Sequence, residues 1–134
     1  MNWIRKFFNQ PDFGTLLLRA FAGASMAYAH GLGKLPPSQK LIDSVGALGF
    51  PEPTIFAWAA ALSEFLGGAL IVFGLFTRPA AFFLAFTMAV AAFRVHMDDA
   101  FQVKEMALLY FFISLHLFFN GAGKYSIDHL WRNR

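Results

Sequence analysis

The chain has 134 residues, which suits one domain and leaves little room for a second. Hydrophobic residues make up 57% of it and charged residues 14%, whereas soluble domains average roughly 45–50% and about 25%. A soluble core of this size could not cover the apolar surface that 18 phenylalanines bring. This composition excludes a compact soluble enzyme, a disordered chain and a fibrous chain, and it predicts a membrane protein.

The net charge of +3 does not indicate a nucleic-acid-binding protein. Basic residues are scattered, the longest run is Arg5-Lys6, and no helical stripe of them could follow a phosphate backbone. The sequence contains no cysteine, which excludes disulfides and thiolate metal sites, and no convincing set of other metal ligands is present. We therefore expect no metal, no covalently bound cofactor and no nucleic-acid partner.

Four apolar segments follow in chain order, at about residues 14–33, 54–76, 79–96 and 104–120. Each is close to the roughly 20 residues that a helix needs to cross the hydrocarbon core of a bilayer. None alternates between polar and apolar residues, as a strand of a membrane barrel would. The prediction is an all-α protein in which residues 1–134 form a single four-helix transmembrane bundle.

The first loop, 34–53, predicts a short amphipathic helix between two pairs of prolines. Ser38 can cap its N-terminus. The apolar side chains of this helix fall on one face, and they are Leu41, Ile42, Val45 and Leu48. We expect the helix to lie at the outer mouth of the bundle or in the membrane interface. The second loop, 77–79, is so short that the helices on either side of it should be antiparallel neighbours.

Lysine and arginine counts in the loops predict the orientation, because basic residues favour the cytoplasmic side of a membrane. The side that carries both termini has six, namely Arg5, Lys6, Arg78, Lys124, Arg132 and Arg134. The opposite side has four, namely Lys34, Lys40, Arg94 and Lys104. Both termini should therefore face the cytoplasm.

Ionisable residues inside the apolar segments are the candidates for function. A charge placed in a bilayer costs about 2.5–3.5 kcal/mol on insertion scales, so such residues face a partner or a cavity. Glu64 falls near the centre of the second segment, and Arg19 and His116 fall in the cytoplasmic third. Arg19 and Glu64 differ in height by roughly 8 Å and are predicted to pair, either as part of a functional site or only to fix helix register. The alternative for His116 is a lone histidine that donates to a backbone carbonyl of a neighbouring helix.

A second candidate group comes from three different segments that reach the same outer third of the membrane. Its members are His30, His96 and Glu105, and Lys34 lies one turn beyond His30. A cavity floored by Glu64 would gather these groups around one ligand, which is the usual form of a small-molecule site. The alternative is that all three cap helix ends and contact lipid headgroups.

Five short motifs are spread along the chain: Leu17-Leu18-Arg19, His30-Gly31-x-x-Lys34, Glu64-x-x-Gly67-Gly68, Gly74-x-x-Thr77-Arg78 and Gly121-x-Gly123-x-Tyr125-Ser126-Ile127-Asp128. In this order, over roughly residues 14–128, they resemble the DoxX family of small bacterial membrane proteins. Glu105 also matches a glutamate near the start of the family's last span. Ala122 departs from the proline that is common in relatives between the two closing glycines.

The resemblance implies a location in the bacterial inner membrane and a link to quinone chemistry. The family is named after a component associated with a terminal quinol oxidase, and related proteins occur with thiosulfate:quinone oxidoreductases. A shared fold does not by itself carry a mechanism, so whether the chain turns over a substrate is left open.

Two functions from different classes follow. In the first, the chain is a subunit of, or accessory to, a quinone-linked redox system. In the second, it is a non-catalytic scaffold or a carrier of a small molecule or lipid. The residues expected to bind the ligand or relay protons are Arg19, His30, Glu64, His96 and Glu105, joined by Lys34 and His116. The candidate partners are membrane lipids, a quinone, a soluble or membrane-bound redox protein and further copies of the chain.

Overall fold

The computed structural model describes residues 2–134, and all the regular structure in that range is helical. Within these residues the α-helices are α1 (Asn2–Phe8), α2 (Pro11–Ser25), α3 (Gln39–Ala47), α4 (Pro53–Phe73), α5 (Thr77–Val90), α6 (Phe101–Asn120) and α7 (Ile127–Arg132). Three segments are long and apolar enough to cross a membrane, namely Pro53–Phe73, Thr77–Val95 and Phe101–Asn120. The all-α class expected from the sequence is confirmed.

The first apolar segment is a continuous stretch of three kinds of helix. α2 begins at Pro11, whose fixed φ suits a first helical position, and Asp12 lies in the first turn, where the helix dipole favours a negative charge. The α-helix then becomes a π turn at Met26–Gly31 and a 3₁₀ turn at Leu32–Lys34. The sequence predicted one regular helix over 14–33, because hydrophobic spacing does not reveal a local change of helical type.

α3 matches the amphipathic helix predicted in the first loop. The backbone N–H of Leu41 donates to Ser38 Oγ at 3.2 Å, so Ser38 is the expected N-cap. Val45 is buried, and α3 packs against α4. Arg94 Nη2 donates to the Leu48 carbonyl at 3.1 Å, which ties the end of α3 to the π turn Ala91–Val95 that follows α5.

α4 lies at the centre of the packing, with α2 and the first π turn on one side and α5 on the other. Small residues allow this close approach. A Cβ added to Gly23 would lie 2.6 Å from the Gly68 carbonyl oxygen, and one added to Gly31 would lie 2.4 Å from the Phe65 nitrogen. The two backbones therefore touch at two levels along α4.

α5 packs along both α4 and α6. α4 ends at Gly74, which adopts a left-handed φ of 64°, and α5 begins three residues later, so the two helices are antiparallel neighbours as predicted. The apolar core is formed by side chains of the first helical segment, α4, α5 and α6, and its largest members are Met26, Ile71, Leu84, Met88 and Leu117. When the π and 3₁₀ turns that continue α2 and α5 are counted, the predicted ends of the four apolar segments lie within three residues of the observed ones.

Two short terminal helices, α1 and α7, were not predicted from the sequence. Ser126 caps α7 by accepting from the His129 N–H at 3.2 Å. The segment before α7 meets the start of α2, because the Lys124 N–H donates to Asp12 Oδ1 at 3.0 Å. It also meets the α4–α5 turn, because the Asp128 N–H donates to the Gly74 carbonyl at 2.8 Å. The start of α2 and the end of α6 therefore lie at the same end of the molecule.

Candidate functional site

A buried ion pair joins Glu64 of α4 to Lys34, the last residue of the 3₁₀ turn. Lys34 Nζ lies 2.8 Å from Glu64 Oε1 and 2.6 Å from Oε2, so one ammonium group binds both carboxylate oxygens. The Glu64 side chain is 3% exposed, whereas that of Lys34 is 40% exposed. The pair thus has one member fixed in the interior and one member that reaches the surface.

The π turn explains how Lys34 comes to lie beside Glu64. A π turn holds an extra residue in the helix, and such turns are common at functional sites. Gly31 ends the turn and lies directly against the backbone of Glu64 and Phe65, where no side chain would fit. This close contact brings His30 and Lys34, on either side of Gly31, to the level of the carboxylate.

His30 and Tyr110 complete this group. The His30 ring meets the Tyr110 ring edge to face, with 5.6 Å between the ring centroids, and His30 lies within electrostatic range of Glu64. Lys34, Glu64, His30 and Tyr110 come from the first helical segment, α4 and α6, and we call them the Glu64 cluster. The cluster joins one acid, one base and two groups that can donate or accept a proton.

The predicted ion pair between Arg19 and Glu64 is wrong. Arg19 is 1% exposed, and its guanidinium donates only to backbone carbonyls: Nε to Ala122 at 3.1 Å, Nη1 to Ile71 at 3.2 Å and to Val72 at 2.5 Å, and Nη2 to Tyr125. Gly23, one turn beyond Arg19, already lies opposite Gly68 and Val72. Arg19 therefore lies opposite the last turn of α4, farther from Glu64 than the sequence estimate.

Two of the carbonyls that bind Arg19 are available to it because of where α4 ends. The last four carbonyls of an α-helix have no partner within the helix, and the helix dipole concentrates negative charge there. Ile71 and Val72 lie in that last turn, and the loop after α6 adds the carbonyls of Ala122 and Tyr125. We call Arg19 and these carbonyls the Arg19 knot, and it joins α2, α4 and the C-terminal loop.

The glycine-rich motif at the end of the chain closes the same knot. Gly74 could not carry a side chain, since its Cβ would lie 2.5 Å from Ser126 Cβ and 2.8 Å from Arg19 Nη1. Asp128 then caps α5, because its two carboxylate oxygens accept from the N–H groups of Phe76 and Thr77 at 2.8 and 2.9 Å. The residues of this motif thus pack against the end of α4 and cap α5, which is a structural role.

Besides Arg19, three sequence candidates lie outside the Glu64 cluster. His96 Nδ1 lies 2.7 Å from Asp99 Oδ2 in the loop after α5, with the His96 side chain 36% exposed. Glu105 and His116 are exposed on α6 and make no hydrogen bond or ion pair within residues 2–134. The structure therefore brings His30 and Lys34 to Glu64 and does not bring His96 and Glu105 to them. The expected convergence of His30, His96 and Glu105 is not found.

Sequence reasoning missed Tyr110 because it followed the wrong face of the last helix. The face that carries Glu105 and His116 points away from the other helices, whereas Tyr110, Ser114 and Leu117 are turned toward them. The spacing of Tyr110, Ser114 and Leu117 is helical and mixes polar with apolar side chains, which is the signal that could have identified the inner face. Within residues 2–134, no group of three or more histidines or acidic residues could hold a metal ion.

Comparison with known protein families matches residues 14–97 to DoxX. The chain belongs to the DoxX family. It is 33% identical over 126 residues to the protein of Escherichia coli (strain K12) named "Inner membrane protein YqjF", covering 89% of this chain and 92% of that protein. With this relative and three helices apolar enough to span a bilayer, the chain is a membrane protein.

Two further relatives cover most of the DoxX chain. It is 32% identical over 118 residues to the protein of Bacillus subtilis (strain 168) named "Putative oxidoreductase CatD", covering 87% of this chain and 86% of that protein. It is 35% identical over 137 residues to an uncharacterized protein of Haemophilus influenzae, covering 96% of each. No solved structure matches.

Proposed function

We propose that the chain is a four-span protein of the bacterial inner membrane that binds the head of a quinone at the Glu64 cluster, as part of a quinone-linked redox system. The observation that carries this proposal is the buried Glu64 carboxylate on an apolar helix, which is bonded to Lys34 and lies within electrostatic range of His30, whose ring in turn contacts Tyr110. A few convergent polar groups in an apolar wall are the usual form of a small-molecule site. The name of the Bacillus subtilis relative supports a redox role.

The fourth span in this proposal is the first helical segment. α2 has 15 residues and the π turn has 6, which at 1.5 Å per residue rise about 31 Å, close to the thickness of the hydrocarbon core. Arg19 is the charge that argues against such a span. Since its guanidinium is buried among backbone carbonyls, it presents no charge to lipid.

The proposed orientation places both termini in the cytoplasm. The end of the molecule that holds the start of α2 and the end of α6 also carries Trp3 and Trp131, both exposed, beside Arg5, Lys6 and Arg132. Exposed tryptophans next to basic residues are typical of the cytoplasmic membrane interface. Fusions of a cytoplasmic and a periplasmic reporter to the C-terminus test this: only the cytoplasmic reporter should be active, and an active periplasmic reporter would contradict the orientation.

The Glu64 cluster has the donors that a quinone head requires. A bound quinone supplies the electron transfer, and its two carbonyl oxygens need hydrogen-bond donors. Lys34, His30 and Tyr110 can donate, while Glu64 holds Lys34 in place and can accept a proton. Lys34 reaches the surface, so it offers a route for a proton between this cluster and water.

A second function, a non-catalytic scaffold or carrier, is favoured by one specific observation. Both oxygens of Glu64 are already bonded to Lys34, so the pair is complete without a ligand. A pair that only fixes the register of the first segment against α4 would look the same. In this case a partner protein, such as a redox protein, would bind elsewhere on the surface.

Tryptophan fluorescence can separate the two functions. Trp58 lies on α4 six residues before Glu64, about 9 Å along the helix axis, whereas Trp3 and Trp131 lie at the opposite end. In detergent, a short-chain ubiquinone or menaquinone should quench the fluorescence of a variant that keeps only Trp58, and the quenching should saturate. In the natural protein, which also has Trp3 and Trp131, Trp58→Phe should abolish the saturable part of the quenching.

Variants of the cluster give this experiment its control. Glu64→Gln and His30→Gln should each raise the quinone Kd about tenfold, as expected for the loss of one charge-assisted hydrogen bond. Glu105→Gln removes an exposed carboxylate from α6 and should leave the Kd unchanged. Quenching that does not saturate, or that is the same in Glu64→Gln, would overturn quinone binding at this cluster and leave the scaffold function.

A further inference from the structure

α6 is the least covered of the three apolar helices. In the most apolar 18-residue stretch of α6, only 11% is buried within the chain. The corresponding shares are 39% for Pro53–Phe73 and 33% for Thr77–Val95. Its exposed face carries Leu109, Phe112, His116 and Phe119, which we call the α6 seam. These residues are spaced by three, four and three positions, the spacing with which one helix packs along another in a coiled coil.

His116 makes lipid a poor cover for this seam. Its side chain is exposed within an apolar helix and makes no hydrogen bond or ion pair within residues 2–134. Neutral histidine has one N–H donor and one nitrogen acceptor, and leaving such groups unpaired in hydrocarbon is costly. The exposed mid-helix side chains of the neighbouring helices are apolar, for example Leu62 and Leu66 of α4 and Phe86 of α5, and these suit lipid.

We propose that the α6 seam binds the α6 seam of a second copy of the chain. Two copies in one membrane have the same orientation, so a two-fold axis parallel to the helices brings identical residues face to face. His116 then meets His116 of the other copy at the same depth, where one ring donates its N–H to the free nitrogen of the other. A second imidazole can thus pair with the polar groups of His116, whereas the hydrocarbon of lipid cannot.

The surface around His116 also has the shape for this contact. A depression of about 550 Å³ is lined by Phe112, Leu115, His116, Phe119 and Asn120. Side chains of a second helix can enter such a depression, as knobs enter holes between packed helices. Glu105 lies on the same face one turn before Leu109, beyond the apolar part of the seam, where two carboxylates can diverge into water.

Cysteine cross-linking tests the proposal directly, because the natural chain has no cysteine. Phe112→Cys in the seam should form a disulfide-linked dimer when native membranes are oxidised. The matched control is Phe86→Cys, since Phe86 is a similarly exposed phenylalanine on α5, 52% against 63% for Phe112. Dimer from Phe112→Cys and not from Phe86→Cys supports the seam. Equal dimer from both positions, or none from Phe112→Cys, would overturn it.

A second variant tests the role of the histidine. Adding His116→Leu to Phe112→Cys should lower the dimer yield roughly three- to tenfold, the range expected for one hydrogen bond between membrane helices. His116→Asn keeps a donor and an acceptor and should retain most of the dimer. An unchanged yield in His116→Leu would overturn the histidine contact, provided that the membranes contain as much of this variant as of the parent. The Trp58 quenching by quinone should be unaffected by either change, so this proposal and the proposed function can fail separately.

Discussion

Among residues 2–134, the two buried charged side chains, Arg19 and Glu64, lie at different levels along the same packed helices and are satisfied in different ways. Arg19 is held by four backbone carbonyls, and its guanidinium is closed off from the surface. Glu64 is held by a single lysine side chain that is itself 40% exposed. Backbone carbonyls are fixed by the fold, whereas a lysine side chain can rotate away. The comparison separates a charge that the fold holds fixed from one whose partner can move, and the second is the charge that the proposed ligand would reach.

Arg19→Leu should give the largest loss of stability. It leaves the carbonyls of Val72, Ala122 and Tyr125 without the Arg19 donor and leaves that of Ile71 with only the Gly74 N–H, and it removes the group that joins three parts of the chain. We expect a loss of about 3–5 kcal/mol. Thermal unfolding in detergent measures it. Arg19→Lys keeps the charge but not the planar fork of donors. Its stability should therefore fall between those of the natural protein and Arg19→Leu.

A double-mutant cycle tests whether the Arg19 knot and the Glu64 cluster are separate. Two turns of α4, about 10 Å, separate Glu64 from Ile71, so the losses from Arg19→Leu and Glu64→Leu should add within roughly 0.5 kcal/mol. Glu64→Leu and Lys34→Leu should instead be coupled by about 0.5–3 kcal/mol, the double variant recovering part of the loss. If the Arg19→Leu/Glu64→Leu double variant recovers stability, Arg19 and Glu64 are coupled and form the ion pair that the structure excludes.

The helices and the buried acid at the centre of the candidate site were predictable from the sequence because they depend on local patterns. Apolar segments of the right length predicted the helices, and Ser38 followed by an amphipathic spacing predicted α3 with its cap. Glu64 stands alone in an apolar segment, so its burial and importance could be inferred from the cost of a charge in lipid. His30 and Lys34 were predicted to lie above Glu64 in one cavity, but the sequence did not indicate that Lys34 pairs with the carboxylate.

The partners of the charges were not predictable, because the sequence does not show which backbone groups are free. Arg19 binds carbonyls, and every residue has one. Only the end of α4 makes those of Ile71 and Val72 available to it, and the Ile71 carbonyl also accepts from the Gly74 N–H. The π turn is equally hidden, and it brings Lys34 to Glu64. The long arginine was therefore assigned to the one buried acid that the sequence shows.

Gly31→Ala sharpens the comparison from the side of the Glu64 cluster. The new Cβ would lie 2.4–2.5 Å from backbone atoms of Phe65, so the π turn and α4 must move apart. We expect a loss of about 1–3 kcal/mol and weaker quinone quenching of Trp58, because His30 and Lys34 move with the turn. Gly33→Ala is the matched control, since nothing lies within 4 Å of its Cβ, and it should change stability by less than about 0.5 kcal/mol. Equal losses from the two variants would mean that the contact at Gly31 does not position the cluster.

Asp128→Ala sharpens the comparison from the side of the Arg19 knot, with the smallest expected effect. α5 begins after Phe76 without a cap from its own loop, and the Asp128 carboxylate supplies the two missing acceptors from the C-terminal segment. Loss of a helix cap costs about 0.5–2 kcal/mol, whereas Asp43→Ala, which removes an exposed carboxylate bonded only to Gln39, should cost less than about 0.5 kcal/mol. Asp128 lies at the end of the molecule that holds the Arg19 knot. Its removal should therefore lower the unfolding temperature and leave the quinone Kd, measured by Trp58 quenching, unchanged. A changed Kd at unchanged stability would show that the two ends communicate, and the division between a charge that builds the fold and a charge that serves a ligand would have to be abandoned.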